Sequence, residues 1–145
     1  MHGNSSGFTL IEMAVTMVIV AIIAAIAIPS YSNYALRAHR TDAKTALLDL
    51  ASLEERYYSV NNTYTLAPAN LGYTAFPQTV GSGYYQVSVS NVNPPALGPP
   101  ATPATYLLTA TAFGTQVKDT QCQTFTLNQQ GVQTATPDPN NSCWH

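Results

Sequence analysis

The stretch GFTLIEMAVTMVIVAIIAAIAIP, residues 7–29, decides how this chain is built. From Met13 to Ile28 the run is apolar except for Thr16, and Phe8 to Ile11 extends it towards the N-terminus. Phe8 to Ile28 spans 21 residues with Glu12 counted in, close to the roughly 20 that a helix needs to cross hydrocarbon. Three readings compete. A secretory signal peptide would use Ala25-Ile26-Ala27 as a small-x-small cleavage site and start the mature chain at Ile28. Against it, residues 1–7 hold no Lys or Arg for a positive n-region. A plain membrane anchor meets Glu12, because a carboxylate deep in the bilayer costs about 2.5–3.5 kcal/mol on insertion scales. Such a group calls for an assigned partner.

The third reading comes from the junction. Gly7-Phe8-Thr9-Leu10-Ile11-Glu12, the apolar run, and Pro29 at its end resemble the N-terminus of a type IV pilin. The resemblance implies cleavage after Gly7 by a prepilin peptidase, N-methylation of the new Phe8 amine and an assembly role for Glu12. It also implies insertion in the bacterial inner membrane before export into an extracellular pilus. Two features depart from the family pattern. The leader Met1-His2-Gly3-Asn4-Ser5-Ser6 lacks basic residues, while Arg37, Arg40 and Lys44 sit on the other flank, against the positive-inside bias. Ala21 stands where many relatives carry Gly. Glycine costs about 1 kcal/mol relative to Ala in a helix, so local melting would lean on Pro29, which lacks a donor and is expected to kink the helix.

Working outward, the apolar run becomes a helical period. Ala43, Ala46, Leu47, Leu50, Leu53 and Tyr57 recur at steps of three and four, an amphipathic stripe. Joined to the apolar segment it predicts one helix from Phe8 to about Val60, roughly 80 Å long. No head of this size buries a helix of that length, so the helix needs a membrane and later neighbours. Glu55-Arg56-Tyr57-Tyr58 and Asn61-Asn62-Thr63-Tyr64 resemble the helix end of one pilin subgroup. Asn61-Asn62-Thr63 also reads as a glycosylation sequon, although a helix-ending turn is the simpler use of asparagine.

Nine of the twelve charges lie between Glu12 and Arg56, and residues 57–145 carry only Lys118, Asp119 and Asp138. Charged residues are 8% of the chain against 46% hydrophobic, where soluble domains average about 25% charged. The C-terminal part is therefore a neutral polar head. Tyr84 to Ser90 alternates, with Tyr85, Val87 and Val89 on one face. Thr105 to Phe113, Gln123 to Asn128 and Gly131 to Ala135 are further strand signals. Asn91 to Ala104 holds five prolines in fourteen residues and reads as an exposed loop. The expected architecture is α+β, with a long N-terminal transmembrane and stalk helix packed on three or four antiparallel strands. The parts are a leader at 1–7, a membrane and assembly helix at 8–36, its amphipathic continuation at 37–60 and a head at 61–145.

Cys122 and Cys143 are the two cysteines. They form no C-x-x-C motif, so a disulfide closing the C-terminal segment is their simplest use, in an oxidising compartment. The segment from Cys122 to Cys143-Trp144 is similar to the disulfide-bounded region of that same subgroup, often assigned to minor pilins. His2, His39 and His145 are scattered, so no catalytic constellation, metal site or cofactor is expected. The resemblance thus implies a structural subunit, expected to be a minor pilin. Its partners would be other pilin subunits, the prepilin peptidase, the inner membrane and the pilus assembly machinery, in support of adhesion, twitching motility or DNA uptake. The alternatives are a major pilin, a DNA-receptor pilin and a type II secretion pseudopilin. DNA capture is disfavoured at this stage because phosphate binding requires clustered cations, and the head offers Lys118 beside Asp119.

Overall fold

The computed structural model describes residues 7–93 and 103–145, which fall into two compact units, Met1–Ala35 and Leu36–His145. One helix, α1, Leu10–Asn61, runs through 52 residues and contains Pro29. Its start follows from a capping pattern, Thr9-x-x-Glu12: Thr9 Oγ1 accepts the Glu12 N–H at 3.2 Å. Its end follows from Asn62, which takes a left-handed φ of 54° and donates its N–H to Tyr58 O at 2.8 Å. That is the αL cap, and it bears out the turn read at Asn61-Asn62-Thr63.

In the first unit the apolar helix has nothing to pack on among the described residues. None of its most apolar 18-residue window is buried, and Leu10, Ile11, Ile26 and Ile28 are all exposed. By length and composition this helix can cross a membrane.

In the second unit α1 lies on a five-stranded antiparallel sheet in the order β1 (Gln78–Val80), β2 (Tyr85–Asn93), β3 (Thr105–Ala112), β4 (Thr124–Asn128) and β5 (Gln133–Thr136). The four strands read from sequence are β2 to β5, with most of their ends moved by a residue or two. The extra one, β1, is three residues long beside Pro77, too short to register as an alternating pattern. Strand β2 also runs on to Asn93, through a register shift between Ser90 and Asn93. Of the proline-rich loop expected over Asn91 to Ala104, residues 94–102 lie outside the described residues, and Ala104 is buried.

Register makes the core. Val87 pairs with Ala110, Val89 with Leu108, Ala110 with Phe125 and Leu108 with Leu127, so one sheet face is apolar across β2, β3 and β4. Against it stand Ala43, Ala46, Leu47 and Leu50 of α1, in the same buried cluster. Leu53 and Tyr57, read as part of the stripe, are half-buried at its border. The β1–β2 turn presses on the helix: Gly81 has φ 56°, and a Cβ there would lie 2.8 Å from Asp42 Cγ. The neighbouring Ser82 N–H donates to Asp42 Oδ2 at 3.0 Å, so only glycine fits this contact.

Candidate functional site

The residues singled out from sequence lie in two places. At the N-terminus Phe8 is 78% exposed, and Glu12 is exposed in the first helical turn. The Glu12 backbone is engaged by Thr9 and by the Thr16 hydroxyl, which donates to Glu12 O at 2.7 Å. Its carboxylate has no hydrogen bond or ion pair among the described residues. Gly7 has open space where a Cβ would stand. A single chain therefore presents the junction Gly7–Phe8, a bare carboxylate four positions on, and an apolar helix with no cover.

The second place is the C-terminal segment. Cys122 and Cys143 are bridged, with their Cα atoms 5.7 Å apart. The bridge is buried, and Trp144 packs edge-on against Phe125 while its Nε1–H donates to Thr134 O at 2.8 Å. A tail with two prolines and two asparagines is thereby tied to β4 and β5.

Two polar clusters were not legible in the sequence. Arg40, 8% exposed, donates from Nε and Nη2 to the two oxygens of Asp119 at 2.6 and 2.8 Å. Gln116, fully buried, sets its amide nitrogen 2.9 Å from Leu36 O, 3.1 Å from Tyr85 Oη and 3.2 Å from Asp119 Oδ2. Its Oε1 accepts from His39 Nδ1 at 3.0 Å, and the His39 ring stacks on Tyr84. Burial raises the Tyr85 phenol to about 12, although the Gln116 hydrogen bond and Arg40 oppose the shift. Asp119 therefore answers a helix cation and not its sequence neighbour Lys118. The available signal was the stripe itself: Ala43, Leu47 and Leu50 extend at helical steps back to Arg40 and on to Glu54.

At that far end Glu54 is wholly buried. One oxygen accepts the Thr65 N–H at 3.1 Å and the other has no partner among the described residues. Burial raises its pKa to about 7 against the opposing Thr65 hydrogen bond, and the Glu55 charge adds to the rise. Next to it Glu55 accepts the Tyr64 hydroxyl at 2.9 Å and the Tyr106 hydroxyl at 3.4 Å. Tyr64 stacks on Tyr58 and meets Tyr106 edge-on, and burial pushes both hydrogen-bonded phenols well up. The tyrosine-rich helix end thus sits at the rim between helix and head. It joins β3 to the turn after α1.

A cleft opens between α1 and the disulfide-held segment, lined on the helix side by Arg37, Arg40 and Lys44. The cations that the sequence placed apart from the head are in fact part of its surface. Among the described residues no cluster of His, Cys, Asp and Glu has the makings of a metal site.

Comparison with known proteins follows the same division. Residues 3–28 match the prokaryotic N-terminal methylation motif. Residues 29–126 match a family described as type IV minor pilin ComP, DNA uptake sequence receptor. The type IV wide pilus major component PilA4 of Thermus thermophilus is 38% identical over 80 residues, 53% of this chain and 61% of that protein. The type IV major pilin protein PilA of Myxococcus xanthus is 32% identical over 87 residues, 60% of this chain and 39% of that protein. The match thus spans less than two thirds of either relative. A type IV pilin structure from Shewanella oneidensis aligns with TM-score 0.50 and 25% identity, over 76% of this chain and 98% of that one. The non-core minor pilin PilV of Neisseria meningitidis aligns with TM-score 0.52 and 25% identity, over 76% and 94%.

Proposed function

The chain belongs to the type IV pilin family, and from that premise we propose that it is a minor subunit of a type IV pilus. It waits in the bacterial inner membrane on its N-terminal helix and is then packed into an extracellular filament. The observation that carries this reading is the uncovered apolar half of α1: its most hydrophobic window is 0% buried. Such a surface is stable only in lipid or against like helices. The match to a minor-pilin family and the bridged Cys122–Cys143 segment support the minor assignment.

In this reading a prepilin peptidase cuts between Gly7 and Phe8, and the Phe8 amine is methylated but stays protonatable. No Lys or Arg lies between Phe8 and Leu36, so that amine is the cation available to Glu12 in an apolar setting. The pair forms within one subunit or between a docking subunit and its neighbour. Before cleavage the position is a neutral peptide, so processing switches the partner on. Pro29 supplies the weak point for helix adjustment. Pilins are structural, and no catalytic step falls to this chain. Recovery of the protein in sheared filaments, with an intact mass that begins at N-methylated Phe8, is the test. A mature start at Ile28 would end the reading.

A second reading, DNA capture for uptake, is favoured by the cations of the cleft together with the match to a family of DNA uptake sequence receptors. Its signature would be duplex binding whose affinity falls steeply with salt.

A further inference from the structure

The chain leaves α1 through a connection that is fastened back onto the helix end at three side chains. The Thr65 N–H donates to Glu54 Oε2 at 3.1 Å, the Tyr64 hydroxyl to Glu55 Oε1 at 2.9 Å and Asn70 Nδ2 to Tyr57 Oη at 3.4 Å. Thr65 is the hub. Its hydroxyl accepts the Ala67 N–H at 3.0 Å and Asn70 Nδ2 at 3.1 Å, so the short 3₁₀ helix Pro68–Leu71 hangs on the residue that Glu54 holds. The Tyr73 N–H closes the segment on Pro68 O at 3.0 Å. All of these residues belong to the Leu36–His145 unit.

Glu54 is the vulnerable fastening. Its side chain is wholly buried, and Oε1 has no partner among the described residues. A buried carboxyl ionises readily only where several donors or a cation replace the lost water. Here the Thr65 N–H is the donor, and among the described residues no cation pairs with Glu54. Arg56 is exposed two positions on, round the other side of the helix. The titratable groups that face Glu54 are Glu55 and Tyr58 on α1, Tyr64 from the connection and Tyr106 from β3. The short 3₁₀ helix contributes Leu71, which is apolar. Glu55 brings like charge, and burial pushes the Tyr64 and Tyr106 phenols well up, so they stay neutral. His39 lies 15 positions back on α1, roughly 22 Å away.

A protonated Glu54 accepts the Thr65 N–H without a buried charge. An ionised one accepts it more strongly, yet that single bond does not offset burial and the Glu55 charge, and the net effect holds the proton on. The ion therefore has its lower free energy in water. The cover that can move aside is the connection itself: Leu66, Ala67, Ala69 and Asn70 are exposed, and its buried members are Tyr64, Thr65 and Leu71. Segments with so few buried contacts open locally, without the rest of the fold.

We propose that residues 62–73 form a pH-gated flap, latched over the end of α1 by protonated Glu54 and released when that carboxyl ionises, which bares the Tyr58–Tyr64–Tyr106 cluster. The device lies within one unit and is the same for a minor or a major subunit. Its sign follows from where the proton sits. The closed form keeps the Glu54 proton up to about 7, whereas the open form gives it up at the usual 4.5. Opening therefore rises about tenfold per pH unit between those values and levels off above them, about 300-fold in all.

The test is residue-resolved hydrogen exchange on the full chain in nonionic detergent, from about pH 4 to about pH 8, read as protection factors so that the intrinsic rate divides out. Expected is a loss of about 300-fold in protection at the Thr65, Ala67, Asn70 and Tyr73 amides, all of them less protected than the β3 amides at the upper end. Glu54→Gln, which keeps an acceptor for Thr65 but cannot ionise, should hold these four amides level across the range. Glu55→Gln, which removes the like charge, should keep the dependence but shift its midpoint to lower pH. The proposal is overturned if Glu54→Gln leaves the parent's pH dependence in place. It is overturned equally if the parent's four amides show a flat profile, or if they exchange with the same protection as β3 throughout, since the head then opens only as a whole. The last two outcomes are read on the parent alone and need no variant to fold.

Discussion

Replacing Glu54 by glutamine should remove a pH dependence of stability that a single buried carboxylate now imposes on the head. The side chain is wholly buried, with one oxygen on the Thr65 N–H and the other unpartnered among the described residues. Burial raises its folded pKa to about 7 from the usual 4.5. The folded chain therefore holds a proton that the unfolded chain releases between those two values, and stability falls as pH rises through that window. Below it the acid is neutral in both states and carries no penalty; above it the penalty is complete. At about 1.4 kcal/mol per unit of pKa, the full effect is ~3 kcal/mol. The Glu54→Gln side chain keeps an acceptor for the Thr65 N–H and cannot ionise. At about pH 4 the variant should melt close to the parent, or slightly below it for the extra amide hydrogens. At about pH 8 it should gain ~3 kcal/mol relative to that baseline, or roughly 6–12 °C for a chain of this size. Thermal unfolding of the full chain in detergent, followed by far-UV circular dichroism across that range, reads the difference directly. Melting temperatures of parent and variant that stay parallel from about pH 4 to about pH 8 would refute the assignment of the proton to Glu54.

Asp119→Ala strands the buried Arg40 guanidinium and should cost about 3–5 kcal/mol in thermal unfolding, with much of that recovered when Arg40→Met is added. Reduction of Cys122–Cys143, separated by 21 residues, should cost about 3 kcal/mol. Hydrogen exchange should show it loosening residues 133–145 more than α1, and native protein without reductant should expose no reactive thiol. Glu12→Ala should leave membrane insertion and cleavage intact but lower the ratio of sheared-filament to membrane protein. An unchanged ratio would remove the carboxylate from the docking step.

What the linear chain determined by itself is the part governed by solvent and period. The nearly unbroken apolarity of Phe8 to Ile28 declares a helix long and apolar enough to cross a membrane, because length and composition are local properties. The Ala43–Leu50 stripe and the alternation of Tyr85, Val87 and Val89 declare their buried faces, because helical and strand periods are local properties. Cys122 and Cys143 had only each other. Short β1 and the ends of β2 were set by pairing partners and not by pattern, so sequence reading stopped short of them. Tertiary structure alone decided the polar interior. Arg40 and Glu54 sit on the apolar face of α1 but look, residue by residue, like ordinary helix-surface charges. Burial of Arg40 is met by Asp119, which the fold brings to it across 79 positions, and burial of Glu54 is met by the Thr65 N–H and by a raised pKa. The same folding turned Arg37, Arg40 and Lys44 from a flank of the apolar segment into one wall of a cleft. Charges declare their cost locally, but their partners are non-local, and only packing names them.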